Sequence, residues 1–252
     1  MTAQAVHARL RLDQLLVERG FFESRARARD AVLRGTVQVA GQTVKKPGQL
    51  FPADAQITVE DPARRYVSRA ALKLVHGLDA FGLDPHGALA LDIGSSTGGF
   101  TQVLLERGAA HVTAIDVGTG QMDARLREDP RVACLEGINA RYLTLEMIGG
   151  RGPDFLVSDV SFISLKLALP PALEMAERGA WGLFLVKPQF EAGREAIGKG
   201  GLLREPDKAE EIARNIAEWL SMNEGWRVIG LEPSPIEGGD GNREFLLAGR
   251  KE

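Results

Sequence analysis

The stretch Ala88–Phe100, A-L-A-L-D-I-G-S-S-T-G-G-F, decides the fold of this chain. An apolar run ends at Asp92 and Ile93, the segment G-S-S-T-G-G follows, and an apolar helical pattern begins at Phe100. This order predicts a buried parallel strand, a glycine-rich turn and a helix N-terminus, which is where open α/β sheets bind nucleotides. The stretch alone leaves three alternatives open: an adenosyl group, another nucleotide, or a tight turn with no ligand.

Strand and helix patterns alternate from this stretch to the end of the chain. The predicted strands lie near residues 88–93, 111–115, 132–135, 155–157 and 181–186. The predicted helices lie near residues 99–107, 122–128, 165–178 and 205–222, the third with a kink at its two prolines. This alternation predicts a Rossmann-like α/β fold, with a mostly parallel sheet and helices on both faces. Two last strands, 226–231 and 244–248, are expected to form an antiparallel hairpin at the sheet edge.

Length and composition are those of a globular protein with room for one large domain and a small module. The chain has 252 residues, of which 44% are hydrophobic and 26% are charged. The single cysteine, Cys134, excludes an internal disulfide and fits a reducing cytoplasm. The histidines and this thiol lack metal-ligand spacing, so no metal is expected. We also expect a cytoplasmic protein with no membrane partner, because signal-peptide and membrane-spanning patterns are absent.

Charge is distributed unevenly along the chain. Residues 1–65 contain 11 Lys and Arg against 7 Asp and Glu, whereas the remainder contains 20 against 27. A basic front end on an acidic body is typical of a nucleic-acid docking module joined to another domain. Within it, the spacing predicts helices over Arg11–Arg19 and from an N-cap at Ser24 to Gly35, and short strands follow. Taken alone, the arginines of the second helix indicate a solvated face.

This front end resembles the alpha-L-type RNA-binding domain. The resemblance rests on R-L-D-Q-L-L and S-R-A-R-A-R-D-A-V-L-R-G-T-V-Q-V-A-G-Q-T-V-K-K-P-G and covers about residues 9–60. It implies two packed helices and a small curled sheet that contacts RNA phosphates. We therefore expect an RNA-binding domain over 1–60, a linker over 61–67 and a second domain over 68–252. The expected RNA contacts, including two in the linker, are Arg25, Arg29, Lys45, Lys46, Arg64 and Arg65.

An acidic residue follows the second predicted strand of the sheet. Asp116 lies 22 residues after Gly94, where a carboxylate accepts hydrogen bonds from nucleotide ribose hydroxyls. A nicotinamide dinucleotide would require room for its pyrophosphate, and Ser96 replaces the middle glycine of that fingerprint. The pattern therefore favours a mononucleoside cofactor, S-adenosylmethionine, over NAD.

Two lysines and two carboxylates lie next to predicted strand ends or just before the sheet: Lys73, Asp159, Lys187 and Glu244. A ribose hydroxyl is a poor nucleophile, and a lysine held by carboxylates can lower its pKa or take its proton. Spacing alone favours ordinary ion pairing for the set. Lys73, in a helix predicted to start at an N-cap at Ser68, is then an ordinary surface lysine.

Five motifs resemble the FtsJ-type ribose 2′-O-methyltransferases: S-R-A-A-L-K-L, D-I-G-S-S-T-G-G-F, S-D-V-S-F-I-S-L, V-K-P-Q-F-E and G-N-R-E-F-L. Fusion to the RNA-binding module resembles the hemolysin-like TlyA family, over about residues 9–250. Thr97 stands where a proline is common in the broader family, and it matches the TlyA branch. The resemblance implies methylation of a cytidine 2′-hydroxyl in ribosomal RNA or ribosomal subunits. It makes Lys73, Asp159, Lys187 and Glu244 a catalytic tetrad in which Lys187 acts on the hydroxyl. It places the cofactor on Gly94, Ser95, Ser96, Gly98, Phe100, Asp116, Asn139 and Asp159.

Two other classes of function remain as alternatives. One is a non-catalytic RNA-binding factor for ribosome assembly that retains the cofactor fold. The other is a membrane-active hemolysin, which lacks support because the sequence contains no strongly cationic amphipathic helix. The sequence leaves open the ribosomal subunit, the nucleotide and the oligomeric state.

Overall fold

The computed structural model describes residues 9–223, 225–239 and 241–252. The chain forms two compact units that divide between Arg65 and Tyr66, and each is described by itself. The boundaries expected from the sequence, with a linker over 61–67, stay predictions.

From residue 9 onward, the N-terminal unit contains two α-helices and five short strands. Its elements are β1 (Arg9–Arg11), α1 (Leu12–Glu18), α2 (Arg25–Leu33), β2 (Val37–Val39), β3 (Gln42–Thr43), β4 (Leu50–Pro52) and β5 (Ile57–Val59). Strand β2 pairs antiparallel with β3 and β5, and β1 pairs with β4. Both predicted helices are confirmed, and the Ser24 side chain accepts the Arg27 N–H as an N-cap. The sequence analysis missed β1, because it runs directly into the helical pattern predicted from Arg11, and it missed β4, because L-F-P does not alternate between apolar and polar residues.

An ion pair attaches the segment after β5 to α2. Arg34, which follows α2, donates through both terminal nitrogens to the Asp61 carboxylate, each at 2.8 Å. The Asp61 side chain is almost fully buried, and its neighbour Ala63 is also buried. Residues Pro62–Arg65 form a turn of 3₁₀ helix. The predicted linker therefore begins with residues that are packed against the N-terminal unit.

The larger unit alternates strands with helices. Its first half contains α3 (Ala71–Phe81), β6 (Leu89–Ile93), α4 (Gly99–Glu106), β7 (His111–Asp116), α5 (Ala124–Arg127), β8 (Val132–Glu136) and β9 (Phe155–Ser158). Its second half contains α6 (Leu165–Ala168), α7 (Pro170–Met175), β10 (Trp181–Val186), α8 (Pro188–Glu191), α9 (Ala209–Met222), β11 (Trp226–Pro233) and β12 (Phe245–Lys251).

These strands form one seven-stranded sheet in the order β11-β12-β10-β9-β6-β7-β8. The five strands from β10 to β8 are parallel, and β12 runs antiparallel to both of its neighbours. Apolar clusters pack on both faces, around Leu74, Leu104 and Leu246 on one and around Leu156, Phe184 and Leu220 on the other. The Rossmann-like fold and the antiparallel hairpin at the edge are confirmed.

Two helix boundaries test the local signals in the sequence, one of which was overridden and one confirmed. Helix α3 begins at Ala71, so the predicted N-cap at Ser68 is wrong. The Ser68 hydroxyl instead accepts the Ala70 N–H within a turn that precedes the helix. The predicted kink at Pro170 and Pro171 is confirmed, because the chain divides there into α6 and α7. Within the described ranges, no helix has both the length and the apolar composition needed to cross a membrane.

Candidate active site

The glycine-rich turn joins β6 to α4 at the carboxyl ends of the parallel strands. Gly94 has φ +83°, and a Cβ there would lie 3.0 Å from the Val160 backbone. Gly98 has φ +94°, and a Cβ there would lie 2.4 Å from Leu126 Cδ1. Both positions therefore require glycine, for backbone conformation and for close packing. The Gly94 and Ser95 N–H groups donate to the Ile115 carbonyl, which ties the turn to β7.

A cavity of about 560 Å³ opens over this turn. Five of the residues expected to bind the cofactor line it: Gly94, Ser96, Asp116, Asn139 and Asp159. Ser95, Gly98 and Phe100 do not contribute to the described lining, and Phe100 is buried in the apolar core instead. The volume lies within the range of small-molecule sites in proteins. The turn thus forms one wall of a ligand-sized cavity.

Asp116 lies at the end of β7 and links the two loops beside the cavity. One carboxylate oxygen accepts the Ser96 N–H at 2.8 Å and the other accepts the Gly118 N–H at 2.7 Å. Each carboxylate oxygen retains a second lone pair for a ligand hydroxyl. Asn139 also lines the cavity, with its side-chain oxygen accepting the Arg141 N–H.

Glu136, which the sequence analysis did not single out, shapes the loop after β7. Its carboxylate accepts N–H groups from Gly120, Gln121 and Met122 and forms an ion pair with Arg127. These donors, the Gly120 N–H foremost, lower the pKa of Glu136 to about 2. The carboxylate is therefore charged at neutral pH, and it fixes the loop that supplies Gly118 and Gln121 to the cavity wall.

The four residues of the expected tetrad form two ion pairs. Lys187 Nζ lies 2.6 Å from Asp159 Oδ1, and Lys73 Nζ lies 2.5 Å from Glu244 Oε2. Lys73, Lys187 and Glu244 are buried. Val186 is paired in register with Phe245, so Lys187 and Glu244 occupy the next positions on neighbouring strands. The sheet thereby brings both pairs to the same edge, beside the cavity that Asp159 lines.

Lys187 has further partners on the loop after β9. Its ammonium donates to the Ser161 hydroxyl at 2.7 Å and to the Asp159 carbonyl at 3.3 Å. Ser161 also lines the cavity. Lys187 itself is not among the lining residues, but one loop of the cavity wall holds it and presents a carboxylate, a hydroxyl and a carbonyl to it.

Phe162, in the same loop, is an exposed aromatic residue at the cavity. Its side chain is 89% exposed, and its φ of +64° is unusual for a non-glycine residue. Its ring centroid lies 5.0 Å from that of Phe190. The sequence analysis included Phe162 in a motif without assigning it a role, since exposure and a left-handed backbone leave no periodic signal.

Asp92 is a fully buried acid in β6. One carboxylate oxygen accepts the Thr101 hydroxyl at 2.7 Å, and the other has no hydrogen-bond partner among the described residues. Burial raises the pKa of Asp92 to about 7, and the charges of Asp159 and Asp116 add to this shift. Hydrogen bonding by Thr101 opposes the shift. A carboxyl group that titrates near neutral pH therefore lies close to the candidate site.

Of the cations expected to contact RNA, Arg29, Lys45, Lys46, Arg64 and Arg65 are exposed residues. Arg25 is exposed as well, and it forms an ion pair with Asp13 at 3.0 Å. Asp13 is buried and also forms an ion pair with Arg11. The sequence analysis did not predict this contact. The guanidinium groups, Arg11 foremost, lower the pKa of Asp13 to about 2. Arg11 and Arg25 are thus held side by side by one charged carboxylate.

Two family models match the chain, one for each unit. Residues 66–251 match the FtsJ-like methyltransferase family, and residues 10–57 match the S4 domain. Among the described residues, no group of three or more His, Cys, Asp or Glu side chains is arranged to hold a metal ion.

Curated relatives match nearly the whole chain. The 16S/23S rRNA (cytidine-2′-O)-methyltransferase TlyA of Mycobacterium tuberculosis is 45% identical over 240 residues, 95% of this chain and 89% of that protein. Hemolysin A of Brachyspira hyodysenteriae is 38% identical over 237 residues, 94% and 98% of the two chains. A solved structure described as a hemolysin of Streptococcus thermophilus has a TM-score of 0.74 at 40% identity, covering 98% of this chain and 90% of that one. This chain therefore belongs to the FtsJ-like methyltransferase family and, within it, to the TlyA-type proteins that also carry an S4 domain.

Proposed function

We propose that this protein transfers a methyl group from S-adenosylmethionine to the ribose 2′-hydroxyl of a cytidine in ribosomal RNA. The observation that carries the proposal is the Lys187–Asp159 ion pair at the wall of a ligand-sized cavity beside the glycine-rich turn. The tuberculosis relative matches this chain across both units, and its name supports the choice of substrate.

The residues around the cavity fit S-adenosylmethionine. A side chain at Gly94 would press against the Val160 backbone, so glycine lets the turn pack closely against the loop that carries Asp159, and both segments line the cavity. Asp116 would accept the ribose hydroxyls, and Gly94, Ser96 and Asn139 would enclose the rest of the ligand, with support from Ser95, Gly98 and Phe100. When bound, the cofactor supplies a methyl group on a sulfonium, which is an electrophile for an oxygen nucleophile.

Lys187 would act on the 2′-hydroxyl of the RNA. In its neutral form the Nζ atom accepts the hydroxyl proton as the oxygen attacks, and the resulting ammonium is stabilised by Asp159. Such positioned proton transfer contributes about 10²- to 10⁴-fold to a rate. Asp159 and the Ser161 hydroxyl fix the position of Nζ beside the cavity.

The Lys73–Glu244 pair would complete the tetrad. It is buried, and Glu244 occupies the register position next to Lys187. Two opposite charges in direct contact are tolerated in a buried place where one alone would be costly. We propose that this pair keeps the surroundings of Lys187 electrostatically balanced and orients the ribose.

The N-terminal unit would dock the RNA. Its exposed cations, Arg29, Lys45 and Lys46 among them, are suited to sequence-independent contacts with phosphates. We propose that residues 1–60 serve as the RNA-binding domain and 68–252 as the methyltransferase domain.

The direct test is methylation of RNA by the purified full chain. Small and large ribosomal subunits from a strain lacking this protein are incubated with it and with S-adenosylmethionine, and 2′-O-methyl groups are mapped. We expect a new 2′-O-methylcytidine that depends on both additions. Cofactor binding without any methyl transfer to either subunit would instead indicate the non-catalytic assembly factor.

Phe162 provides a prediction about how the target nucleotide is held. Exposed aromatic rings stack on unpaired bases and contribute about 1–3 kcal/mol per base. We expect Phe162→Ala to lower kcat/KM for RNA by about tenfold or more, whereas the Kd of S-adenosylmethionine changes little. Phe162→Tyr, which keeps the aromatic face, should retain most of the activity. Equal losses in the two variants would contradict a stacking role.

The docking surface predicts a change in salt dependence. Replacing both Arg29 and Lys46 by alanine should reduce the slope of log K for RNA binding against log salt by about 1.4 to 1.8, because each phosphate contact contributes about 0.7 to 0.9. Binding is measured by fluorescence anisotropy at several salt concentrations. Lys208→Ala, an exposed lysine of the methyltransferase unit paired with Glu205, is the matched control and should leave the slope unchanged. An unchanged slope in the double variant would show that Arg29 and Lys46 do not contact RNA phosphates.

A further inference from the structure

The segments that carry Asp159 and Lys187 are joined by a second contact besides the ion pair between these two residues. Glu191, at the end of α8, accepts the Leu165 N–H at 2.8 Å through one carboxylate oxygen. Its other oxygen accepts a hydrogen bond from the Ser164 hydroxyl. Glu191 lies four residues after Lys187, and Ser164 lies five residues after Asp159. The carboxylate therefore connects the segment after β10 to the segment after β9.

This contact lies at the far end of both segments from the tetrad. At the near end, Lys187 binds Asp159 and Ser161; between the two ends, the Phe162 and Phe190 rings are in contact. The segment 159–165 is thus fixed to the segment 187–191 at three successive points. Since Phe162 has a left-handed backbone in the middle of this segment, contacts on both sides of it must fix its conformation.

Helix capping alone does not account for Glu191. Helix α6 already has an N-cap, because the Ser164 hydroxyl accepts the Lys166 N–H at 3.1 Å. Glu191 is half-buried, and burial raises the pKa of its carboxyl group. A partly desolvated carboxylate that accepts two hydrogen bonds from another segment is typical of a group that fixes the position of that segment.

We propose that Glu191 is a positioning residue for methyl transfer, holding the loop of Asp159, Ser161 and Phe162 in place against Lys187. The proposal rests on the proposed function. It assigns to Glu191 no contact with RNA or cofactor. Its effect is on the geometry of Lys187 and the loop, to which transfer rates are sensitive, since small misplacements of reacting groups cost up to about 100-fold.

The experiment separates the transfer step from binding. Single-turnover methyl transfer to ribosomal subunits is measured with saturating cofactor and enzyme, alongside the Kd of S-adenosylmethionine and the Tm. We expect Glu191→Ala to lower the single-turnover rate by about 30-fold, with the cofactor Kd within about twofold of wild type. Glu191→Gln keeps an acceptor for the Leu165 N–H and should recover much of the rate.

Ser164→Ala tests the same contact from the other segment and does not depend on the folding of Glu191→Ala. If the two residues act through one contact, the loss in the Ser164→Ala, Glu191→Ala double variant is smaller than the product of the two single losses. Independent, multiplicative effects would overturn the proposal.

Asp154→Ala is the matched structural control. Its carboxylate also accepts a backbone N–H from another segment, that of Leu89 at 2.8 Å, but at the amino ends of the strands. It should lower Tm without lowering the single-turnover rate at a temperature where the variant is folded. The proposal fails if Glu191→Ala behaves in the same way, or if cofactor affinity falls in parallel with the rate. If the wild-type chain itself transfers no methyl group, it is the proposed function that fails.

Discussion

Lys187→Ala is expected to lower the single-turnover rate of methyl transfer by about 10³-fold, within the range of general acid–base catalysis. The reason is the position of Nζ, which belongs to a buried side chain and is held by Asp159 and Ser161, two residues that line the cavity. The Kd of S-adenosylmethionine should stay within a few-fold of wild type, because Lys187 is not part of the turn or of the Asp116 contacts. Titration calorimetry and a radiolabelled methyl-transfer assay measure the two quantities on the same preparation.

Two controls decide what a loss of activity means. Lys208→Ala removes an exposed lysine of the same unit and should leave the rate unchanged. Near-ultraviolet circular dichroism should show that Lys187→Ala keeps its tertiary packing, because the Lys73–Glu244 pair and the sheet are untouched. Methylation by the purified variant at the wild-type rate would contradict the role assigned to Lys187 and leave only ordinary ion pairing.

The parts of the fold that depend on periodicity could be predicted from the sequence. The turn after β6 has small residues between a buried strand and an apolar helix, and this order is local to a dozen positions. The kink between α6 and α7 also follows from a local rule, because proline cannot continue a helix. Helix starts were less accurate: at Ser68 a suitable N-cap residue lies in a turn that precedes α3.

The candidate site depends on contacts that no local pattern encodes. Lys73 contacts Glu244, which lies 171 positions later in the chain, because α3 packs against the paired strands β10 and β12. The sequence could place the lysine beside an apolar stripe, but only strand order and register bring the carboxylate to it. Glu191 and Ser164 belong to quoted motifs but received no role for the same reason, since their contact joins segments that follow different strands.

The arginines in and directly after α2 also show that a local pattern cannot identify the contacts of a side chain. Arg25, Arg29 and Arg34 have the same side chain within ten positions, and composition alone cannot rank them. In the structure Arg34 turns to Asp61 and Asp30, whereas Arg29 is exposed. The inward arginine is thus distinguished only by acids that the fold brings next to it.

Asp92→Asn is expected to stabilise the methyltransferase unit at pH 8 by about 2–4 kcal/mol and to change its stability little at pH 4. Burial raises the pKa of Asp92 to about 7 in the folded protein, against about 3.9 in an unfolded chain. Between these values the folded state retains a proton that the unfolded state has lost, so the stability contributed by this group falls as pH rises from about 4 to 7. Above pH 7 the full cost of a buried charge is present, and the neutral amide avoids it.

Urea unfolding at both pH values, followed by tryptophan fluorescence, measures this difference. All three tryptophans, Trp181, Trp219 and Trp226, lie in the methyltransferase unit, so the signal reports that unit alone. Thr101→Val removes the hydrogen bond that opposes the shift and should extend the pH-dependent range upward. An equal change in stability at pH 4 and pH 8 would show that the pKa of Asp92 is the same in the folded and the unfolded protein. If the urea experiment shows that Asp92→Asn is at least as stable as the wild type, a loss of S-adenosylmethionine affinity in this variant reflects the missing carboxylate and not unfolding of the unit.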